Sequence, residues 1–307
     1  TLCGISGAAL AWNGTGHRLV AAIAWEVMTP TVRAETLRLL GQHPDHERWQ
    51  RQNWVEDAER LVFLACATWP DEIRKDARFY TAGQQTATPL LAGFPDMARH
   101  SDWHTEGRPL DPLASPSPPA PPGHLSGALR SVIRTLGDGR SEAMHRSYAL
   151  PWLIHLAGDA HQPLHLSLKF NATGEWDHFG TGLWIEDPEA WRTPRKTLHA
   201  FWDDTPGPGS LRGGALDDKA RQLMRQLPVA AVDTDAPFDQ WLDESWEWAR
   251  RIGYPEALED PPRLSEAFRE HSRRVANQRV VEAGYRLGRL LNQLLGEPAL
   301  QTRPGNF

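Results

Sequence analysis

Cysteine, long apolar runs and excess positive charge are all scarce in this sequence of 307 residues. Cys3 and Cys66 are its two cysteines. Because no apolar run reaches the roughly 18 residues that a membrane helix needs, no membrane span is predicted. The formal net charge is −6 at pH 7, so the whole chain does not attract polyanions. Binding of nucleic acid or phosphate would therefore need a local positive centre, such as a metal ion.

The first eleven residues, 1–11, have the features of a secretory signal-peptide remnant. They are mostly apolar and end in Ala9-Leu10-Ala11, the small-x-small pattern of a signal-peptidase site. Cleavage there would leave Trp12 as the first residue of a secreted or periplasmic protein. It would also remove Cys3, so that Cys66 stands alone and an intramolecular disulfide is excluded. An ordinary apolar N-terminus is the alternative interpretation.

Helical periodicity dominates the rest of the chain, and no convincing alternating strand pattern is found. Residues 12–307 are therefore predicted to form an all-α, single compact multi-helix domain. The predicted helices cover residues 12–28, 30–41, 49–66, 124–137, 141–162, 195–203, 214–227, 237–252 and 262–296.

Two long irregular excursions interrupt the helices. The first, at about 108–123, contains seven prolines between residues 109 and 122, which forbid a helix. We interpret it as a surface excursion within one domain, not as a linker, because candidate ligands lie on both sides of it. The second covers residues 168–194, where a small hairpin is predicted.

Two His/Asp pairs have the spacing that places both side chains on one face of a helix. They are His155 with Asp159, and His199 with Asp203, each four residues apart on a predicted helix. Such pairs also arise by chance, and for the first pair a neutral core histidine bonded to Asp159 is the alternative.

A proline gives a further histidine access to the same region. Pro163 ends the predicted helix after Gln162, which would let His165 turn back toward the first His/Asp pair. Further candidate ligands are His17, Asp71 and His104, although each alone is compatible with a surface or capping role.

Taken together, these motifs resemble those of the three-zinc, single-strand-specific nucleases of the S1/P1 type. Those enzymes share their fold and ligand layout with the bacterial zinc-dependent phospholipases C. Weaker similarity extends the resemblance over nearly all of residues 12–296. The matching pieces, in the family's order, are WNGTGH, WPDEIR, DWHTEG, HLAGDAHQPLH and LHAFWD, followed by WLDESWEWARRIGYP and EAGYRLGRLLNQLL.

The resemblance implies a ligand set for three zinc ions. The first would be held by Asp71, His104, His155 and Asp159, the second by His165, His199 and Asp203, and the third by His17, the bridging Asp159, and the amino group and carbonyl oxygen of Trp12. His161 has no ligand role in the family. Imidazole and carboxylate ligands without thiolate suit zinc. An α-amino group, with a pKa of about 7.7–8.0, deprotonates readily enough to bind a metal, so cleavage before Trp12 would complete the third site.

The resemblance also implies a reaction. The family hydrolyses single-stranded RNA and DNA to 5′-phosphorylated products, often with 3′-nucleotidase activity. Metals bridged by Asp159 would lower the pKa of a water molecule from 15.7 toward about 7, and the hydroxide would attack the phosphodiester. Arg74 matches an arginine that contacts phosphate in the family; without the resemblance, a solvated helix arginine is the favoured interpretation. The expected substrates are single-stranded nucleic acids and nucleotides, and the protein is expected to be a monomer.

The sequence departs from the family pattern around the substrate. Thr105 stands where many members have an aromatic residue, and Gly107 where many have an acid that orients the attacking water; Glu106 could replace that acid or be a solvent-facing loop residue. The family's Gly-Gly-Asn segment, which contacts a base, is replaced near Gly174–Asp177, where Trp176 could stack on a base or serve packing. Substrate identity is therefore open.

Two other functions compete with a nuclease. A phospholipase C-like or other phosphoester hydrolase would keep the same metals, although a lipid enzyme needs an apolar rim and residues 109–122 offer prolines instead. A non-catalytic, zinc-stabilised helical binding protein is the other candidate. It is disfavoured because metal sites with open positions are an improbable way to stabilise a fold.

Overall fold

The computed structural model of the protein describes residues 12–51, 58–111, 123–171, 174–190, 193–256 and 261–296. Across these residues the fold is all-α, as predicted, with two small two-stranded sheets. The helices are α1 (Gly14–Val27), α2 (Pro30–Leu40), α3 (His46–Arg51), α4 (Ala58–Cys66), α5 (Trp69–Glu72), α6 (Leu125–Gly137), α7 (Ala143–Asp159), α8 (Leu198–Asp204), α9 (Gly213–Gln226), α10 (Phe238–Ile252) and α11 (Glu266–Leu295). The strands are β1 (Arg108–Pro109), parallel to β2 (Ser167–Leu168), and β3 (Trp184–Glu186), antiparallel to β4 (Arg195–Thr197). No helix among the described residues is both long and apolar enough to cross a bilayer.

Some helix boundaries differ from the prediction. Residues 195–197, predicted as helix, form β4, and α8 starts only at Leu198, where the Thr197 hydroxyl accepts a hydrogen bond from the N–H of Ala200. The predicted 141–162 helix ends at Asp159, because the residue before Pro163 is extended and a 3-10 turn, Pro163–Leu166, follows. The region 49–66 contains α3 and α4, and residues 52–57 lie outside the described part.

The centre of the molecule is built on α1, α7 and α11. Residues 147–159 of α7 are all buried, and so is most of α1. Close approach of α11 to α1 requires glycine: a Cβ at Gly284 would lie 2.5 Å from the Cβ of Ile23. Because α1 and α7 pack together in this core, any polar side chain on their facing sides is removed from water.

The described residues on either side of the proline-rich segment lie close together. Glu106 and Gly123 form an isolated antiparallel bridge, and the N–H of Leu110 donates to the carbonyl of Leu168. The prolines themselves lie mostly within residues 112–122, outside the described part, as does the predicted signal-peptide remnant at 1–11. The assignment of the excursion to a single domain stays a prediction.

Candidate metal centre

Histidine and aspartate side chains from both halves of the chain meet in the interior. They form three groups, and within each group the possible ligand atoms lie within 4.8 Å of one another. Every member is buried except Asp71, whose side chain is partly exposed. The groups are His17 with His155 and Asp159; Asp71 with His104 and His155; and His165 with His199 and Asp203.

Asp159, at the end of α7, lies between the groups. Its Oδ2 is 3.0 Å from Nδ1 of His104 and 3.3 Å from Nε2 of His155. Its Oδ1 is 3.6 Å from Nε2 of His17 and 3.7 Å from Nδ1 of His165. The two oxygens therefore face different groups, which is the arrangement that a bridging carboxylate requires.

Main-chain carbonyls orient three of the imidazole rings. Nδ1 of His155 lies 2.9 Å from the carbonyl oxygen of Ala67, and Nδ1 of His199 lies 2.6 Å from that of Phe179. Nδ1 of His165 lies 2.7 Å from the carbonyl oxygen of His104. Because a carbonyl only accepts, Nδ1 carries the proton in each neutral ring and Nε2 offers a lone pair, as in metal-binding histidines.

Backbone strain contributes to one of these contacts. His178 and Phe179 have φ values of 52° and 60°, a left-handed conformation that residues with a Cβ rarely adopt. The turn directs the Phe179 carbonyl at His199. Strain of this kind is typical of functional sites, where the surrounding structure holds it in place.

Several buried polar atoms in the centre have no hydrogen-bond partner. They include both ring nitrogens of His17, Nε2 of His104, Oδ1 of Asp159 and Oδ2 of Asp203. An unsatisfied buried polar atom is costly, and such a concentration in one place requires an explanation. Neutral imidazoles and carboxylates are common zinc ligands, so the side chains of this centre fit a cluster of bound cations.

The pKa values of these side chains support this fit. Burial, together with repulsion from His155 and His165, holds the pKa of His17 well below its usual value, and burial does the same for His104. Burial raises the pKa of Asp159 to about 6, and that of Asp203 well above its usual value. His17 and His104 are thus neutral and available as ligands, whereas Asp159 and Asp203 need a positive charge nearby to ionise.

Trp12 packs directly against this centre. It is completely buried, and its indole N–H donates to the carbonyl oxygen of Gly158 at 3.0 Å. Two glycines allow the approach: a Cβ at Gly16 would lie 2.6 Å from the Cβ of Trp12, and one at Gly158 would lie 2.9 Å from Nδ1 of His17. Trp12 therefore lies against Gly158, the residue before Asp159, and against Gly16, the residue before His17.

Comparison with known proteins identifies the family. The sequence model of the S1/P1 nucleases matches residues 12–296. The chain belongs to the S1/P1 nuclease family. It is also 22% identical over 314 residues to Endonuclease 1 of Arabidopsis thaliana, a match that covers 96% of this chain and 90% of that protein. S1/P1 nucleases are metal-dependent hydrolases of phosphodiester bonds, so the substrate class is nucleic acid and the three groups are candidate metal sites.

His161, next to the ligand candidates in DAHQPLH, belongs to none of the three groups. Its Nδ1 lies 2.7 Å from the carbonyl oxygen of Ala157, and its Nε2 is 3.0 Å from Nη1 of Arg286. Since Nδ1 donates and Nε2 accepts, both ring nitrogens are engaged. In this nuclease His161 is therefore part of the packing between α7 and α11.

Gln162 is a residue of the centre that the sequence did not single out. It is completely buried, and its amide nitrogen donates to Oδ1 of Asp203 at 2.9 Å while its amide oxygen accepts from the N–H of Leu164 at 2.6 Å. It thus leaves Oδ2 of Asp203 directed at the group and holds the turn that presents His165. The signal that the sequence offered for Gln162 was an amide side chain beside a proline, in a motif rich in candidate ligands.

The two predicted substrate-contact residues, Arg74 and Trp176, lie in different surroundings. The side chain of Arg74 is 8% exposed, with Nε 3.4 Å from Oδ1 of Asp71, so its guanidinium lies beside the metal ligands. The ring of Trp176 lies against that of His178, with centroids 3.9 Å apart and planes tilted by 42°, and both residues line a cavity of about 840 Å³ with Lys169.

The carboxylate of Glu106 contacts α6 and Arg108. Its Oε2 accepts from the N–H of Ser126 in the first turn of α6, and its Oε1 lies 3.4 Å from Nη2 of Arg108. A Cβ at Gly107 would lie 2.7 Å from the side chain of Leu168, so the backbone there leaves no room for an acid. Glu106 caps a helix and shows no sign of replacing the family's water-orienting acid.

Proposed function

We propose that this protein is a zinc-dependent endonuclease that cleaves single-stranded RNA and DNA to 5′-phosphorylated products, with 3′-nucleotidase activity toward nucleotides. The observation that carries the proposal is the convergence of three groups of imidazoles and carboxylates, all buried except Asp71, whose possible ligand atoms lie within 4.8 Å of one another in each group. A chain with a net charge of −6 would acquire a local positive centre from these ions.

Three zinc ions would divide the ligands between them. The proposed sets are Asp71, His104, His155 and Asp159 for the first; His165, His199 and Asp203 for the second; and His17, Asp159 and the main-chain nitrogen and oxygen of Trp12 for the third. Three divalent ions against three carboxylates leave a net charge of about +3, which attracts a phosphodiester. When bound, the ions would activate water and stabilise the charge that develops on the phosphate.

The chain's own residues hold and orient the substrate. Arg74 presents a nearly buried guanidinium beside Asp71, where a phosphate oxygen that reaches the centre would accept its hydrogen bonds. Asp159, with its two oxygens facing different groups, keeps those groups at a constant separation.

Single-strand preference follows from the depth of the site. All but one of the ligand side chains are buried, so a phosphate reaches them only when the neighbouring base leaves its stack. The half-buried ring of Trp176, in the cavity that Lys169 also lines, offers a surface on which such a base can stack. A stacked duplex cannot supply an unstacked base without losing pairing energy.

Secretion would complete the centre. We propose that cleavage after Ala11, in the part of the chain outside the described residues, frees the amino group of Trp12 for zinc. The protein would then act outside the cell or in the periplasm, as a monomer. An acylated nitrogen is a poor ligand, so an uncleaved chain would lack the third site.

The test compares zinc content and hydrolysis in two forms of the protein. The secreted form, with its N-terminus verified at Trp12, should contain about three zinc ions per chain and cleave single-stranded RNA faster than a duplex of the same sequence. A form that retains residues 1–11 should contain less zinc and be less active. His199→Ala should lose zinc, whereas His145→Ala, at an exposed histidine of α7 outside the groups, should retain it.

The outcomes separate the alternatives. A secreted form without zinc would refute the ligand assignment. Full zinc with no hydrolysis of RNA or DNA, but with hydrolysis of phosphatidylcholine or another phosphoester, would refute the substrate assignment alone.

A further inference from the structure

The residue before α1 is tied to the segment that follows α8. The main-chain N–H of Asn13 donates to the carbonyl oxygen of Asp203 at 3.1 Å. The side-chain nitrogen of Asn13 donates to Oδ1 of Asp204 at 3.0 Å and to the carbonyl oxygen of Gly207 at 2.7 Å. We call these contacts the Asn13 clamp; they join positions 190 to 194 residues apart in the chain.

The remaining polar atom of Asn13 is also engaged. Its side-chain oxygen accepts from the N–H groups of Thr15 at 2.9 Å and Gly16 at 3.2 Å, which caps α1. Asp204 is held in turn by Nζ of Lys196, 3.1 Å from its second carboxylate oxygen. With both donors and the acceptor satisfied, the Asn13 side chain has a single orientation.

The clamp lies between two of the three metal-ligand groups. On one side, Asn13 follows Trp12 and accepts a bond from the main-chain N–H of His17 at 3.3 Å. On the other side, Asp204 directly follows Asp203, a member of the group on α8. A displacement of either segment would therefore move ligands of one group relative to those of the other.

We propose that Asn13 is a positioning residue that holds the main chain of Trp12 and the α8 ligand segment at the separation at which both groups bind metal. The inference rests on the proposed function, because it requires those groups to hold zinc. A first residue is normally poorly ordered unless it is tied down, and the clamp ties down the residue next to Trp12. Partners outside the ligand shell typically change metal affinity 10- to 100-fold.

The test uses the substitution Asn13→Asp, which keeps an oxygen to cap α1 but removes both N–H donors and places a second carboxylate beside Asp204. In the secreted protein, zinc retention against a competing chelator should weaken by about 10- to 100-fold. In the zinc-free protein, the amides at residues 13–16 should exchange with solvent faster than in the wild type.

A paired substitution and a control make the test specific. Asn13→Asp combined with Asp204→Asn exchanges donor and acceptor between these two side chains but leaves the bond to Gly207 broken, so it should recover part of the lost zinc retention. Thr29→Ala removes the hydroxyl that caps α2 and lowers stability away from the clamp, so zinc retention should not change.

Each outcome decides the inference. It is overturned if Asn13→Asp retains zinc as the wild type does, if the paired substitution is no better than Asn13→Asp, or if Thr29→Ala loses as much zinc. A wild-type protein that binds no zinc would instead refute the proposed function. The exchange experiment, made without zinc, would then still report whether the clamp holds the chain.

Discussion

Replacement of Gln162 by leucine should weaken both the fold around α8 and the retention of zinc. Gln162 is completely buried and makes two hydrogen bonds, to Oδ1 of Asp203 and from the N–H of Leu164. Leucine has a similar size but can make neither bond. Asp203 would lose the contact that orients its second oxygen, and the turn that carries His165 would lose its cap.

The expected cost follows from these two bonds. A buried N–H left without a partner at Leu164 costs about 1–3 kcal/mol, and the bond to the ionised carboxylate of the zinc-loaded protein is worth about 1.5–3 kcal/mol. The free energy of unfolding should fall by about 3–5 kcal/mol, out of a total of about 5–15 kcal/mol. The melting temperature should fall by about 10 °C.

Thermal melting and zinc content after dialysis measure the two effects. The matched control is Gln278→Leu, which removes an amide that donates to Glu282 on α11, outside the centre. Gln162→Glu keeps an acceptor for Leu164 but replaces the donor to Asp203 by a second carboxylate oxygen, so it perturbs the ligand contact and leaves the turn capped. If Gln162→Leu melts with the wild type and keeps all its zinc, the reasoning is refuted.

Three further predictions concern other parts of the molecule. Arg279 and Arg286 hold the pKa of Glu244 at about 2 despite its burial, so the contribution of Glu244 to the free energy of unfolding, about 3 kcal/mol, should be lost as the pH falls from about 4.5 toward 2. Glu244→Gln should therefore be less stable at pH 7 and show a flatter dependence of stability on acid pH. Equal acid unfolding curves for the variant and the wild type would contradict this. Arg74→Gln should lower kcat/KM for single-stranded RNA by about 100-fold with zinc content unchanged, and an unchanged kcat/KM would remove Arg74 from the substrate site. Trp176→Ala should raise KM for single-stranded substrates about tenfold, since stacking of one base is worth about 1–3 kcal/mol; an unaltered KM would assign Trp176 to packing.

Much of the fold, and the identity of the candidate ligands, could be predicted from local sequence. Helical periodicity gave the all-α class and the approximate position of most helices, because burial of one face leaves a 3.6-residue pattern in the chain. The spacing of His155 and Asp159, and of His199 and Asp203, put each pair on one face before any fold was known.

Other features were not readable from the sequence. Glu106 was a candidate to replace a missing acid, with a solvent-facing loop residue as the alternative. Instead it caps α6, because a carboxylate in a loop binds whichever free N–H groups the fold brings near. Residues 195–197 were predicted as helix but form a strand, since pairing with β3 outweighs a weak local preference.

By itself, the sequence determined which side chains can bind metal and which of them share a helix, since both depend on residue type and short-range spacing. It did not determine how these pairs meet. The approach of Asp159 to His104 and His17, the bond from Gln162 to Asp203 and the Asn13 clamp join residues 41 to 194 positions apart. Such distances are set by the packing of α1, α7 and α8 in one core, and only the tertiary structure decides them.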